Sequence, residues 1–179
     1  VFYSDCRRKP SVRSGGSELA SAASEHDTEQ SLVFLGDFLV FYNCFFCANR
    51  SLSGSHVIYR PIGDVIDEIS YFVNNFGVEQ ISFMDDNIVA DKIRAKQLFQ
   101  ELINKDYNLE IQIGNLAAWD LDEEILALLC RAGCSRIGIS IESGSQEVLY
   151  KIIHNPLNLE IIPPLVQNFK KYGIMLVYS

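Results

Sequence analysis

The feature that most constrains the fold is a repeated alternation between short apolar strands and amphipathic helices. Beyond residue 31, apolar residues recur first at the spacing of a strand and then at the spacing of a helix. The predicted strands are residues 32–40, 79–84, 109–113, 136–141 and 174–178. The predicted helices are residues 61–76, 91–105, 121–132, 146–153 and 159–171. This order is typical of right-handed βαβ units, so we predict an α/β fold, a partial parallel (βα) barrel that is TIM-barrel-like with about five strands.

Capping residues place the ends of several helices. Gly77, Gly133 and Gly173 each follow an apolar helical run, and glycine is common just beyond a helix C-terminus. Asp120, with Glu123 three positions later, has the pattern of a capping box and predicts a helix start there. The inward-facing residues of the predicted elements form the expected core. They are Val65, Ile69, Phe72, Ile81, Phe83, Leu98, Leu102, Ile111, Ile125, Leu128, Ile137, Ile139 and Ile141.

The chain divides into two regions by composition. Residues 1–30 are rich in Ser, Ala, Glu and Gly and show no apolar period, so we expect a disordered leader there. Residues 31–179 form the predicted partial barrel domain. No helix follows the fifth predicted strand to cover it, and an uncovered parallel strand is unusual. We therefore expect the domain to be part of a longer barrel.

Charge and cysteine content exclude some classes of function. Lys and Arg total 15 against 23 Asp and Glu, a net charge of −8, which disfavours general binding to nucleic acid. No stretch reaches the roughly 20 apolar residues needed to cross a bilayer, so we expect no membrane segment. No export signal precedes the five cysteines, so we expect a cytoplasmic chain with reduced thiols. Metal ligation by these thiols is then favoured over a disulfide framework.

Polar residues follow four of the predicted strands at their carboxyl ends, where parallel barrels gather functional groups. The first end carries Cys44 and Cys47, two cysteines three positions apart that can ligate one metal centre. The other three ends carry residues 85–87, Asn115 and residues 142–145. Any one of these groups is ordinarily a helix cap or a solvated turn, but four at one edge favour a functional site. Cys130 and Cys134, by contrast, read as small buried apolar residues.

Several stretches resemble one known family. The loop Cys44-Phe45-Phe46-Cys47 resembles the cluster loop of radical S-adenosylmethionine (SAM) enzymes, with an aromatic residue before the last cysteine. Residues 56–86, 121–134 and 139–149 resemble the helices and strands of the branch that often carries an upstream cobalamin-binding domain. Val40 stands where the family has its first cluster cysteine, and Phe41 stands where the family commonly has proline.

The resemblance implies two cofactors and the residues that would bind each of them. Cys44 and Cys47 would ligate a four-iron four-sulfur (4Fe-4S) cluster, and SAM would bind its open iron. Phe46 would lie near the adenine, while Asp85 and Asp86 would meet the SAM amino group. The residues placed near the ribose and the methionine end of SAM are Ser140, Glu142 and Ser143. Cobalamin would bind only through a further domain.

The resemblance also implies a reaction and its partners. The reduced cluster would cleave SAM to methionine and a 5′-deoxyadenosyl radical, with a flavodoxin or ferredoxin as electron donor and a small molecule as substrate. Because Val40 provides no thiolate, the sequence argues against full activity. One alternative is a degenerate, non-catalytic barrel scaffold. Another is a zinc or redox site at Cys44 and Cys47, which needs two more ligands. The sequence identifies neither the substrate nor the reaction type.

Overall fold

The computed structural model describes the backbone of residues 31–34, 37–38 and 58–178, and the side chains of residues 59–178. The predicted leader, residues 1–30, lies outside these ranges. The strands are β1 (Ser31–Phe34), β2 (Asp37–Phe38), β3 (Ile58–Tyr59), β4 (Gln80–Phe83), β5 (Glu110–Leu116), β6 (Cys134–Ile139) and β7 (Met175–Tyr178). The α-helices are α1 (Ile62–Phe76), α2 (Lys92–Lys105), α3 (Glu123–Ala132), α4 (Gln146–Val148) and α5 (Ile162–Tyr172). Short 3₁₀ turns cover Ala118–Asp120 and Leu159–Ile161.

Five strands form one sheet in the order β1-β4-β5-β6-β7, and every neighbouring pair is parallel. Strands β2 and β3 form a separate antiparallel pair. A helix follows β4, β5 and β6 before the next strand begins. The prediction of an α/β fold with a parallel sheet is therefore confirmed.

One hydrophobic core joins the strands to the helices. In β4, β5 and β6 buried residues alternate with more exposed ones, such as Ile81 and Phe83 in β4, because successive side chains point to opposite faces. The Phe83 ring packs edge-on against Phe99 of α2, with the ring centroids 5.9 Å apart. The predicted core residues lie in this cluster or against it. Three of them are only half-buried: Phe72, Leu128 and Ile141.

The helix ends agree with the glycine signals but not with the predicted capping box. Gly133 ends α3 in a left-handed conformation, φ +98°, and a Cβ there would lie 2.4 Å from the Leu109 carbonyl oxygen. The prediction that Asp120 caps α3 is wrong. Asp122 is the cap, since its Oδ1 accepts a 2.9 Å hydrogen bond from the Ile125 N–H. Asp120 instead accepts a hydrogen bond from Asn87.

Several boundaries differ from those that periodicity predicted. The third strand of the prediction continues to Leu116, and the fourth ends at Ile139. The predicted helix at residues 146–153 is one α turn followed by a π turn, Leu149–Ile153. Two prolines open α5, where the first-turn N–H groups have no intrahelical acceptor to lose. None of the helices in the described residues is long and apolar enough to cross a membrane.

Candidate functional site at the carboxyl edge of the sheet

The carboxyl ends of β4, β5 and β6 lie side by side, because these strands are parallel neighbours. We call residues 84–87, 114–115 and 140–143 the carboxyl edge. These are three of the four polar strand ends that the sequence predicts to meet. The fourth, with Val40, Cys44, Phe46 and Cys47, lies outside the described residues.

Two bulges interrupt the ladder between β5 and β6. Ile113 pairs with Ile137 and Leu116 pairs with Ile139, so Gly114 and Asn115 together face the single residue Gly138. Lower in the same ladder, Ser135 is an extra residue in β6, because Ile111 pairs with Cys134 and Gln112 with Arg136. Bulges are over-represented beside active sites, where they redirect a side chain.

The upper bulge requires glycine in β6. A Cβ on Gly138 would stand 2.1 Å from the Gly114 carbonyl oxygen and 3.1 Å from its carbonyl carbon. Both atoms belong to the backbone, so they cannot swing aside as a flexible side chain would. The two strands therefore approach one another more closely here than any other residue would allow.

Asn115 links the three strand ends. Ser140 Oγ donates a 3.1 Å hydrogen bond to Asn115 Oδ1, and Asn115 Nδ2 donates a 3.4 Å bond to the Asp86 carbonyl oxygen. The bulge changes the phase of β5, so that Leu116 is buried and Asn115 is only half-buried. The side chain of Asn115 thus fixes the relative position of Asp86 and Ser140, two of the predicted SAM ligands.

The acidic segment after β4 has one exposed and one buried carboxyl group. Asp85 is 2% exposed, whereas Asp86 is exposed. Asn87 is also buried, and its amide accepts a 3.4 Å bond from the Ala117 N–H and donates a 2.6 Å bond to Asp120 Oδ2. Asn87 and Asp120 therefore hold this segment against the loop that follows β5, a role that the sequence did not reveal.

Glu142 has an unusual backbone at the end of β6. Its φ is +67°, in the left-handed region that costs a non-glycine residue free energy, and its side chain is exposed. The Ser143 N–H donates to the Ile141 carbonyl at 2.8 Å, and Ser143 Oγ accepts from the Ser145 N–H at 3.1 Å. The turn therefore holds Glu142 and Ser143 in place. Strain of this kind is concentrated at functional sites.

The loop after this turn is also fixed by polar side chains. The Gln146 amide donates to the Leu157 carbonyl and accepts from the Leu159 N–H, both at 2.8 Å. Buried Asn155 accepts a 2.9 Å bond from the Leu157 N–H. The π turn lies between these contacts, and π turns are frequent near functional sites.

The two described cysteines have the character the sequence predicts. Cys130 and Cys134 are buried, and burial raises the pKa of the Cys134 thiol to about 12. Cys130 Sγ donates to the Tyr172 carbonyl oxygen at 3.4 Å. Within the described part of the chain, no three His, Cys, Asp or Glu side chains are grouped to hold a metal ion.

Comparisons with known proteins identify relatives of this chain. A cytidylyl-2-hydroxyethylphosphonate methyltransferase from Streptomyces wedmorensis is 32% identical over 132 residues, which is 74% of this chain and 24% of that protein. An uncharacterised methyltransferase from Pyrococcus horikoshii is 25% identical over 134 residues, 74% of this chain and 28% of that protein. This chain thus spans less than a third of either relative.

Solved structures share the fold. The radical S-adenosylmethionine methyltransferase TsrM from Kitasatospora setae, with tryptophan substrate and a SAM analogue bound, gives a TM-score of 0.75 at 20% identity. The match covers 84% of this chain and 30% of that one. A second structure of TsrM, with cobalamin and a 4Fe-4S cluster bound, gives a TM-score of 0.73 at 20% identity, over 82% of this chain and 28% of that one.

The Radical SAM superfamily profile matches residues 41–178, which is most of the chain. The matched range includes the carboxyl edge and all of β4 to β7. The chain belongs to the radical SAM superfamily.

Proposed function

We propose that this chain is the core of a radical SAM enzyme that binds a 4Fe-4S cluster and SAM at the carboxyl edge of its sheet. The observation that carries the proposal is the Ser140–Asn115–Asp86 hydrogen-bonded line, which joins three strand ends beside the strained Glu142. A strained residue and an ordered polar line at the carboxyl edge of a parallel sheet are typical of a ligand site.

The donor set at this edge fits SAM. Asp86 is an exposed carboxylate beside buried Asp85, and an anion suits the SAM ammonium group. Glu142 and Ser143 offer a carboxylate and a hydroxyl to the ribose and the methionine end. Ser140 stands one step earlier, with its hydroxyl oriented by Asn115. Cys44 and Cys47 would hold the cluster, and Phe46 would lie against the adenine.

A cluster held by Cys44 and Cys47, when reduced, would supply the one electron that cleaves the sulfur–C5′ bond of SAM to methionine and a 5′-deoxyadenosyl radical. The residues of this chain hold SAM in one orientation and keep water from the radical. A reducing protein such as a flavodoxin or ferredoxin would deliver the electron. Two relatives are named methyltransferases, so methyl transfer to a small molecule is the first reaction class to assay.

Iron and acid-labile sulfide content after anaerobic reconstitution test this proposal. The chain itself is compared with Val40→Cys, which restores the family's first cysteine, and with Cys47→Ala, which removes a predicted ligand. Cys6→Ala is the matched control, because Cys6 lies in the predicted leader. We expect close to one 4Fe-4S cluster per chain in Val40→Cys and a lower cluster content in the unaltered chain. Relative to the unaltered chain, Cys47→Ala should lose cluster, whereas Cys6→Ala should not.

The outcomes separate the proposal from its alternatives. Production of 5′-deoxyadenosine from SAM by the iron-loaded chain supports the enzyme. A folded chain that takes up no iron, even as Val40→Cys, overturns the proposal and favours a non-catalytic scaffold. Zinc bound in place of iron, lost in Cys47→Ala, overturns it in favour of a zinc site.

A further inference from the structure

The face of the sheet opposite the core is largely polar in β4, β5 and β6, and is bordered in β7 by the apolar Met175 and Val177. In β4, β5 and β6, residues that alternate with the core positions point away from α2 and α3. They include Gln80, Ser82, Glu110, Gln112 and Arg136. The interior of a (βα) barrel is ordinarily filled with branched apolar side chains. A face with a charged and amide-rich surface therefore indicates contact with something polar.

Arg136 is the one cation among these five residues. It is exposed, and its register partner Gln112 pairs in turn with Ser82, so the three residues form a row across the sheet. Its guanidinium makes no ion pair with any residue in the described ranges. A planar guanidinium presents paired N–H donors that match a carboxylate or a phosphonate.

Glu110 is the nearby anion, and it is held by neutral donors. Ser135, the extra residue of the lower bulge, donates to Glu110 Oε1 at 2.6 Å. Gln112 donates to the same oxygen at 3.2 Å. The carboxylate of Glu110 is thus oriented by Ser135 and Gln112 and forms no ion pair with Arg136.

Between Arg136 and the carboxyl edge, β6 itself contributes no side chain to this face, and the neighbouring side chain in β7 is the apolar Val177. The next residue of β6 on this face is Gly138, and the bulged backbone of Gly114 lies over it. Met84 provides the apolar lining, because its sulfur lies 3.1 Å from where a Gly114 Cβ would stand. Along this face, the Arg136 guanidinium is therefore followed by the Met84 thioether and then by the Ser140 hydroxyl.

We propose that this face binds the substrate, a small molecule with an apolar body and a terminal oxyanion. The oxyanion pairs with Arg136, the body lies along Met84, and the other end reaches Ser140 at the SAM site. Arg136 and Ser140 are four strand residues apart, about 13 Å, which suits a molecule of amino-acid size or slightly larger. This inference rests on the proposed function, because it places the substrate beside the proposed SAM site.

Isothermal titration calorimetry tests the inference by measuring the affinity of the full chain for three small molecules. Propionate and ethylphosphonate carry the oxyanion in its two forms, and ethylammonium carries the opposite charge. Arg136→Gln removes the cation, and Arg131→Gln, an exposed arginine on α3, is the matched control. We expect one of the anions to bind in preference to ethylammonium. Its affinity should fall at least about tenfold in Arg136→Gln and stay unchanged in Arg131→Gln.

Glu110→Gln gives a second, opposite test. Removing a neighbouring negative charge should leave anion binding intact or strengthen it, because the glutamine can still accept the Ser135 hydrogen bond. Weaker binding in Glu110→Gln to the same extent as in Arg136→Gln would overturn the inference, as would equal binding of all three probes or of none. Which anion binds more tightly distinguishes a carboxylate substrate from a phosphonate one.

Failure of this inference can be told apart from failure of the proposed function. The same titrations are made on the chain before and after cluster reconstitution. A chain that holds iron and cleaves SAM but ignores both anions overturns the substrate site alone. A chain that binds an anion through Arg136 but takes up no iron supports this face as an oxyanion site and overturns the proposed enzyme.

Discussion

Glu142 is the non-glycine residue of the carboxyl edge whose backbone has a positive φ. Its positive φ brings the Cβ close to the following carbonyl, which costs about 1 to 2 kcal/mol for an L-residue. The Ser143 and Ser145 hydrogen bonds maintain the turn in spite of this cost. Because glycine would adopt this conformation without strain, the glutamate favours the proposed ligand-binding role for its carboxylate.

Glu142→Gly should therefore separate stability from binding. Glycine adopts positive φ without strain, so we expect the free energy of unfolding to rise by up to about 1 kcal/mol. The affinity for SAM should fall, because the carboxylate is gone. Urea unfolding measures the first quantity and SAM titration of the iron-loaded chain measures the second.

A matched control places the same substitution in ordinary helical backbone. Glu101 is an exposed residue inside the regular helix α2, so Glu101→Gly should lower the free energy of unfolding and leave SAM affinity unchanged. A loss of stability in Glu142→Gly as large as that in Glu101→Gly would contradict the strain at Glu142.

Asp122 provides a pH-dependent contribution at the start of α3. Partial burial raises the pKa of this carboxyl, but hydrogen bonds from Lys92 and the Ile125 N–H, with the charges of Lys92 and Lys96, lower it by more. The net shift is downward, so the carboxylate stabilises the fold above the ordinary aspartate pKa of about 3.9. That stability is lost as the pH falls through the lower folded-state value.

Asp122→Asn should show this dependence. Asparagine keeps the helix cap but loses the 2.6 Å ion pair with Lys92, so we expect a loss of up to about 1 kcal/mol at pH 7. The difference from the unaltered chain should shrink below about pH 4. Denaturant unfolding from pH 2.5 to 7 measures it, and a difference that stays constant over this range would refute the assignment. Adding Lys92→Met to Asp122→Asn should cost little more than either change alone.

Strands β5 and β6 depend on close backbone contact at the upper bulge. Gly138→Ala places a methyl group against the Gly114 carbonyl, so we expect a loss of about 1 to 3 kcal/mol as the strands separate. Gly63→Ala is the control, because a Cβ there meets nothing within 4 Å and alanine favours the α1 helix. Thermal melting of both variants tests this prediction, and only Gly138→Ala should melt at a lower temperature than the unaltered chain. Equal melting of Gly138→Ala and the unaltered chain would rule out the tight contact.

The course of these elements was predictable only in part from the sequence. Regular spacing predicts the buried pair Ile111 and Ile113, but the next buried residue, Leu116, comes three positions later. The three-residue step from Ile113 to Leu116 is the bulge, and the two-residue period of a regular strand does not predict it. The predicted strand accordingly ended too early. Asp120 was mistaken for a helix cap because its buried partner Asn87 lies far away in the sequence.

At the scale of the molecule, one core holds strands and helices together. Ile139 in β6 is 2% exposed and stands directly before Ser140 of the carboxyl edge. Ile139→Asp buries an unpaired charge, at a cost of several kcal/mol that approaches the total stability of a domain, so we expect an unfolded chain. Ile152→Asp is the control at a position 62% exposed and should melt normally. Circular dichroism measures both, and a cooperative, unshifted transition in Ile139→Asp would disprove the β6 assignment.

The meeting of three polar strand ends was predictable because parallel strands necessarily present their carboxyl ends at one edge. The line from Ser140 through Asn115 to Asp86 was not predictable. It depends on the direction of one side chain, and that direction is set by a bulge formed between two strands. The burial of Asp85 beside exposed Asp86 likewise depends on packing that the sequence of the segment alone does not encode.

The two bulges compensate for each other. The lower one adds Ser135 to β6, and the upper one adds a residue to β5 at Gly114 and Asn115, so the strands leave the ladder in the offset with which they entered. Each bulge can nevertheless be removed alone, because deleting its extra residue leaves the pairs on both sides in place. Without Ser135, the pairs Ile111–Cys134 and Gln112–Arg136 would simply become consecutive. We expect deletion of Ser135 to leave SAM binding at the carboxyl edge unchanged, whereas deletion of Gly114, which removes the bulge beside Asn115, should weaken it. SAM titration of the two iron-loaded variants measures the difference, and equal affinities would contradict a role for the upper bulge.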